Sequence, residues 1–113
     1  MGVKRTLDYD QLVVDGDMSS DITSASTNIM NTDRVGYQLS YSGTPTGTFS
    51  VQVSNDESVW VDVTFDSTPT AAGQAGTDFL EVETAAKFVR LVYTATSGTG
   101  SLDAHITAKS ISG

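Results

Sequence analysis

The sequence predicts an all-β domain, an antiparallel β-sandwich or jelly roll of about eight strands. Three observations carry this. Apolar residues recur at every second place through residues 35–54 and 88–108, the period of a sheet with one buried face. The segments between are rich in Ser, Thr, Gly, Asn and Asp, residues that make turns. No stretch carries the 3.6-residue apolar stripe of an amphipathic helix.

Taken in order, residues 1–34 read as an N-terminal arm with edge strands, and residues 35–113 as the sandwich core of a single domain. In the arm, Gln11–Val14 (QLVV) is a short strand closed by the turn Asp15-Gly16-Asp17, and Met18–Ile22 is a second short strand. The Ser/Thr/Asn-rich run that follows reads as a loop. The expected anchors are Leu12, Val14, Ile22, Ile29 and Met30.

From Val35 the alternation is clean. Val35, Tyr37, Leu39 and Tyr41 share one face, and after the turn SGTPTG so do Phe49, Val51 and Val53. Asn55–Ser58 is a turn, and Val59–Phe65 (VWVDVTF) a strand with its valines and Phe65 on one face and Trp60 on the other. Residues 66–77 form a Gly/Pro-containing loop, Phe79–Val82 a short strand, and Thr84–Ala86 a turn. Lys87–Ala95 is apolar on both faces and is expected to be a central strand, or one covered by another chain. After the turn at 97–100, Leu102, Ala104, Ile106 and Ala108 alternate with Asp103, His105, Thr107 and Lys109. Residues 88–107 thus read as one long β-hairpin, and residues 37–54 as a fainter copy. TGTFSVQVS (46–54) matches TGSLDAHIT (99–107), and QLSY (38–41) matches RLVY (90–93), about 52 residues apart.

Composition narrows function. The chain has 113 residues, one domain's length. With 14 acidic against 6 basic residues its net charge is −8, which repels a phosphate backbone, so no nucleic-acid partner is expected. No apolar run approaches the ~18 residues of a membrane helix, so no membrane partner is expected. The absence of cysteine excludes disulfides, thiol nucleophiles and Cys-based zinc sites.

Catalytic chemistry finds little support. His105 is the sole histidine, G-x-S-x-G is absent, and His105 is read as facing solvent or a partner. Asp15-Gly16-Asp17 resembles half a calcium loop but lacks the alternating ligands and closing Glu, so no cofactor is assigned, with Ca²⁺ the one candidate. Turn chemistry accounts for these aspartates. Trp60 and Tyr41 are either packed or form a platform on which a sugar stacks. Arg90 interrupts an aggregation-prone run as a gatekeeper or ion-pair partner. Tyr41, Trp60, Arg90 and His105 are therefore the candidate interface or ligand-stacking residues, and no catalytic or metal-binding residue is assigned.

The S-N-D turn before Trp60, the F-V-R-L-x-Y strand and the S-G-T-G-S-L return, spanning residues 35–110, resemble small β-sandwich virion structural proteins of tailed bacteriophages. Capsid decoration (cement) and head-fibre or tail-associated proteins are of this kind. The F-V-R-L strand also resembles the last core strands of carbohydrate-binding jelly rolls and discoidin-like domains. The first resemblance implies a non-enzymatic homo-oligomer, a trimer by expectation, bound to the major capsid protein or other virion proteins. It also implies location in the virion after assembly in the host cytoplasm. The alternative is a carbohydrate- or receptor-binding module associated with a tail or fibre.

Overall fold

The computed structural model describes residues 6–29, 32, 34–65 and 67–109, and of residues 6–12, 14 and 109 the backbone alone. Ten strands run through them: β1 Thr6–Asp17, β2 Ile22–Thr23, β3 Thr27–Asn28, β4 Arg34–Gly43, β5 Thr46–Ser54, β6 Val61–Asp62, β7 Thr70–Ala72, β8 Gly76–Glu83, β9 Phe88–Ser97 and β10 Gly100–Lys109. They form two antiparallel sheets, as the alternation predicts. One is four-stranded in the order β1-β10-β4-β8. The other is six-stranded, with β9 and β5 at its centre, β2 and β3 on the free side of β9, and β6 and β7 on the free side of β5. The count exceeds eight because both outer strands of the second sheet are broken into two short pieces.

The core lies between the sheets. Val35, Tyr37 and Leu39 of β4 and Leu102, Ala104 and Ile106 of β10 meet Phe49 and Val51 of β5 and Val89, Leu91 and Tyr93 of β9, all at most 2% exposed. Each large side chain among them stabilises the fold by roughly 1.5–3 kcal/mol relative to exposure. Truncating one, as in Leu91→Ala, costs about 2–5 kcal/mol, since close packing leaves a cavity. Val13, Met18 and Ile29 join the same core from the first 29 residues.

The two expected hairpins are not hairpins. β9 and β10 lie in different sheets, as do β4 and β5. β10 pairs instead with β4, from Gly100 opposite Gly43 to Lys109 opposite Arg34. β5 pairs with β9, from Thr46 opposite Ser97 to Ser54 opposite Phe88. Each repeat is a corner that carries the chain from one sheet to the other, and the two repeats interlock. The matched Ser-Gly-Thr turns at 42–44 and 97–99 abut. Thr44 N–H donates to the Thr99 carbonyl at 2.8 Å. Gly43 (φ +85°) and Gly98 (φ +82°) both adopt the left-handed conformation that favours glycine. A Cβ on Gly98 would collide with the Thr44 carbonyl oxygen, and one on Gly43 would lie 2.6 Å from that of Thr99.

Other elements depart from expectation for local reasons. β1 extends well beyond Gln11–Val14, and its register against β10 shifts three times, so simple alternation does not track its faces. Of the expected anchors, Ile29 is buried and Ile22 half-buried, while the side chains of Leu12, Val14 and Met30 lie outside the described set. Met18 sits in a turn, not a strand. The strand expected over 59–65 shrinks to Val61–Asp62. Val63 N–H bonds the Val51 carbonyl, and Val63 and Phe65 pack on the core, but Val59 and Val61 are exposed. The expected loop 66–77 contains β7, and β8 begins three residues before Phe79. β9 is central in its sheet, as its two-sided apolarity indicated.

Candidate interaction surface

The outer face of the six-stranded sheet carries a fixed polar cluster. Gln52 stands opposite Arg90 on one side and Asp62 on the other. All three alternate with buried Val51 and Leu91 or flank the exposed edge, so they point away from the core. Arg90 Nε donates to Gln52 Oε1 and Gln52 Nε2 donates to Asp62 Oδ1, each at 2.8 Å. The Arg90 guanidinium lies 4.2 Å from the centroid of the Trp60 ring, a cation–π contact worth about 0.5–1 kcal/mol where water has access. Lys87 Nζ sits 5.3 Å from the Phe88 ring on the same sheet.

Tyr41 takes another route. It packs against the core, with its ring 5.6 Å from that of Phe49, which in turn lies 5.0 Å from Tyr93. Burial, reinforced by the Asp78 charge, raises the Tyr41 phenol above its ordinary pKa, and burial raises those of Tyr37 and Tyr93. Tyr41 and Trp60 therefore belong to opposite sides of the six-stranded sheet and do not form one platform, and Arg90 already covers a face of the indole. His105 alternates with buried Ala104 and Ile106 and is half-buried on the outer face of the four-stranded sheet, between Gln11 of β1 and Gln38 of β4. Of the four candidate residues, Trp60 and Arg90 come together, while Tyr41 and His105 stand apart from them.

The acidic loops mostly hold turns. Asp17 Oδ1 accepts from the hydroxyl and then from the backbone N–H of Ser19, which lower its pKa in that order. Asp56 Oδ1 accepts from the N–H groups of Val59 and Ser58 and from the Ser54 hydroxyl, and its pKa falls for those reasons in that order. Asp15 N–H donates to Asp103, and Ala95 N–H to Asp21.

A lateral edge escaped the sequence reading. β8 borders the four-stranded sheet, and the segment from β6 to β7 borders the other sheet on the same side. Between them runs an open groove of about 610 Å³, lined by Phe65 and Pro69 on one wall and Asp78, Leu80 and Glu81 on the other. Of the exposed large apolar side chains among the described residues, Val61 and Phe79 belong to these two borders, and Val59 lies in the turn before β6. Arg34 reaches across to Glu81 at 3.2 Å and Glu83 at 3.3 Å. The alternation in DFLEVE identifies a strand, but nothing in it says that the strand lies at an edge.

No family model matches the chain, and no curated protein sequence matches it. Solved structures share its fold. The chain is similar to a structure of infectious bursal disease virus, Gx strain, with a TM-score of 0.63 and 11% identity, covering 97% of this chain and 33% of that one. It is similar to the PBSX exported protein XepA, with a TM-score of 0.62 and 12% identity over 95% of this chain and 37% of the other. It is also similar to the SPBc2 prophage-derived protein YomS, at a TM-score of 0.56 and 7% identity, covering 95% of this chain and 96% of that one. The chain thus spans about a third of the length of the first two and nearly all of the third. At such identities the likeness is one of fold.

Proposed function

We propose that this domain is a non-enzymatic structural component of a virus particle, of the decoration type that binds over the shell and bridges its subunits. The observation that carries the reading is the two-sheet arrangement, shared along 95% or more of the chain with a virus structure, the PBSX exported protein and a prophage-derived protein. Counting each broken edge as one strand, the sheets read 1-8-3-6 and 2-7-4-5, an order that supports reading the sandwich as a jelly roll. The molecule measures 50 × 25 × 25 Å, so a long face offers room for a standard interface of about 800 Å² per partner. Stabilisation would come from burial: area removed from water between neighbouring subunits opposes their separation.

A carbohydrate- or receptor-binding module is the weaker reading, because Tyr41 turns to the core and Arg90 caps Trp60. The proposal is tested by sedimenting the purified chain with isolated shells lacking it. Saturable co-sedimentation at a fixed ratio to the major capsid protein is expected. A chain that stays in the supernatant at every concentration sinks the decoration role.

A further inference from the structure

We propose that the outer face of the six-stranded sheet, at Arg90 and Lys87, binds an acidic protein segment, an extended stretch with carboxylates on alternate residues. This deepens the proposed function, on which it rests only for placing that segment on the shell.

Three Lys or Arg side chains are described: Arg34, Lys87 and Arg90. Arg34 is paired with Glu81 and Glu83 on the four-stranded sheet. Lys87 and Arg90 make no ion pair with a described residue, in a chain of net charge −8. Glu57, in the turn before Trp60, gives its carboxylate to the Ser26 hydroxyl. Both unneutralised cations stand on one face. Phe88, over which Lys87 lies, and Arg90 alternate with buried Val89 and Leu91.

The Arg90 guanidinium is held in place. Its Nε donates to Gln52 Oε1 at 2.8 Å, and Gln52 Nε2 donates on to Asp62 Oδ1 at 2.8 Å. A carboxylate only accepts, so Asp62 draws the amide nitrogen of Gln52 and leaves the amide oxygen for Arg90. Asp62 stands two strand spacings from Arg90, about 10 Å, where ~0.1 M salt screens most of its attraction. It orients the guanidinium without neutralising it. Trp60 holds the flat face, with its ring centroid 4.2 Å away. With Nε taken and one face stacked, the two terminal amino groups remain, and no described residue accepts from them. They form the end-on fork that a carboxylate accepts bidentately. A donor pair fixed in advance lowers the ordering cost of binding.

The chemistry of the face selects its occupant. Each aromatic ring here has a cation over it, so the face offers charge rather than a bare ring for a sugar. Net charge −8 repels a run of phosphates. The Phe88 and Arg90 side chains stand roughly 7 Å apart along β9, the spacing of alternate residues in any extended chain. A strand-like segment with Glu or Asp at alternate places therefore sets one carboxylate on the fork and the next at Lys87 Nζ.

The test titrates the purified chain into a capped, fluorescein-labelled peptide of alternating Thr and Glu, and follows the anisotropy at low salt. Saturable binding is expected, and none to the same peptide with Gln in place of Glu. The emission of Trp60, the single tryptophan, should change over the same range. Arg90→Lys keeps the charge but loses the fork, and is expected to weaken binding about tenfold. Gln52→Ala leaves the net charge as it is and frees the guanidinium to turn, with an expected loss of about threefold. Arg34→Gln removes a charge from the other sheet and should leave binding nearly unchanged. Absence of saturable binding, an equal loss in Arg34→Gln and Arg90→Lys, or tighter binding of a labelled oligogalacturonate, which carries its carboxylates on sugar, overturns the proposal. Since only the isolated chain and peptide are used, such a failure leaves the particle role standing, and absence from particles would leave this contact standing.

Discussion

Substituting the two corner glycines tests the interlocked repeat. Gly98→Ala places a side chain at φ +82°, a left-handed conformation that costs an L-residue about 1–2 kcal/mol. Its Cβ would also meet the Thr44 carbonyl oxygen, and relieving a clash with backbone costs a further ~1–3 kcal/mol. The expected total is about 2–5 kcal/mol. Gly43→Ala has the same two causes, its Cβ lying 2.6 Å from the Thr99 carbonyl oxygen. Because the two corners press on each other, the first substitution must push them apart, and that movement relieves the second. The double variant should thus be more stable than additivity requires, by about 1–2 kcal/mol. Urea unfolding of the four proteins, with unchanged m-values, supplies the cycle. Two independent hairpins would each lose stability from a turn glycine without coupling. Additivity within ~0.5 kcal/mol, or a single-variant cost under ~1 kcal/mol, refutes the contact between corners.

Four further outcomes follow from the side chains. The Tyr37 hydroxyl is buried with no partner among the described residues, so Tyr37→Phe should leave stability unchanged or raise it by about 1 kcal/mol, measured by thermal unfolding. The raised phenol pKa values of Tyr37, Tyr41 and Tyr93 mean that the unfolded chain releases protons first. Stability is therefore full below the ordinary tyrosine value near 10 and lost above it, and Tyr37→Phe should flatten that alkaline loss. Asp56 has the opposite sign. Its lowered pKa stabilises the fold above the unfolded carboxylate value and is lost as pH falls through the folded one, so Asp56→Ala should lower the melting temperature at neutral pH and weaken its acid dependence. Arg90→Ala should cost about 1 kcal/mol and shift the emission of Trp60, the single tryptophan; unchanged emission would contradict the stacked geometry.

What was legible in the sequence, and what was not, divides along a physical line. Alternation reports which face of a strand is buried, so the inward sets in β4, β5, β9 and β10 were readable. It does not report which strand lies alongside. A short Ser-Gly-Thr turn serves a hairpin or a corner equally well, and only the packing of both repeats together distinguishes them. The register shifts of β1 hid Val13, and the edge position of Val61–Asp62 removed the neighbours that would have extended the strand expected over 59–65. Trp60 and Arg90 were each recognisable as unusual. Their contact was not, since β5 must first bring β6 and β9 to its two sides. The β8 edge and its groove are products of topology alone.

The structural role stands or falls on whether the chain is part of a particle. Quantitative mass spectrometry of density-purified virus particles, from cells that carry the gene, measures this. The expected result is many copies per particle, at a constant ratio to the major capsid protein across the gradient peak. A chain found only in the soluble fraction, and absent from particles at every stage of assembly, would contradict the structural role.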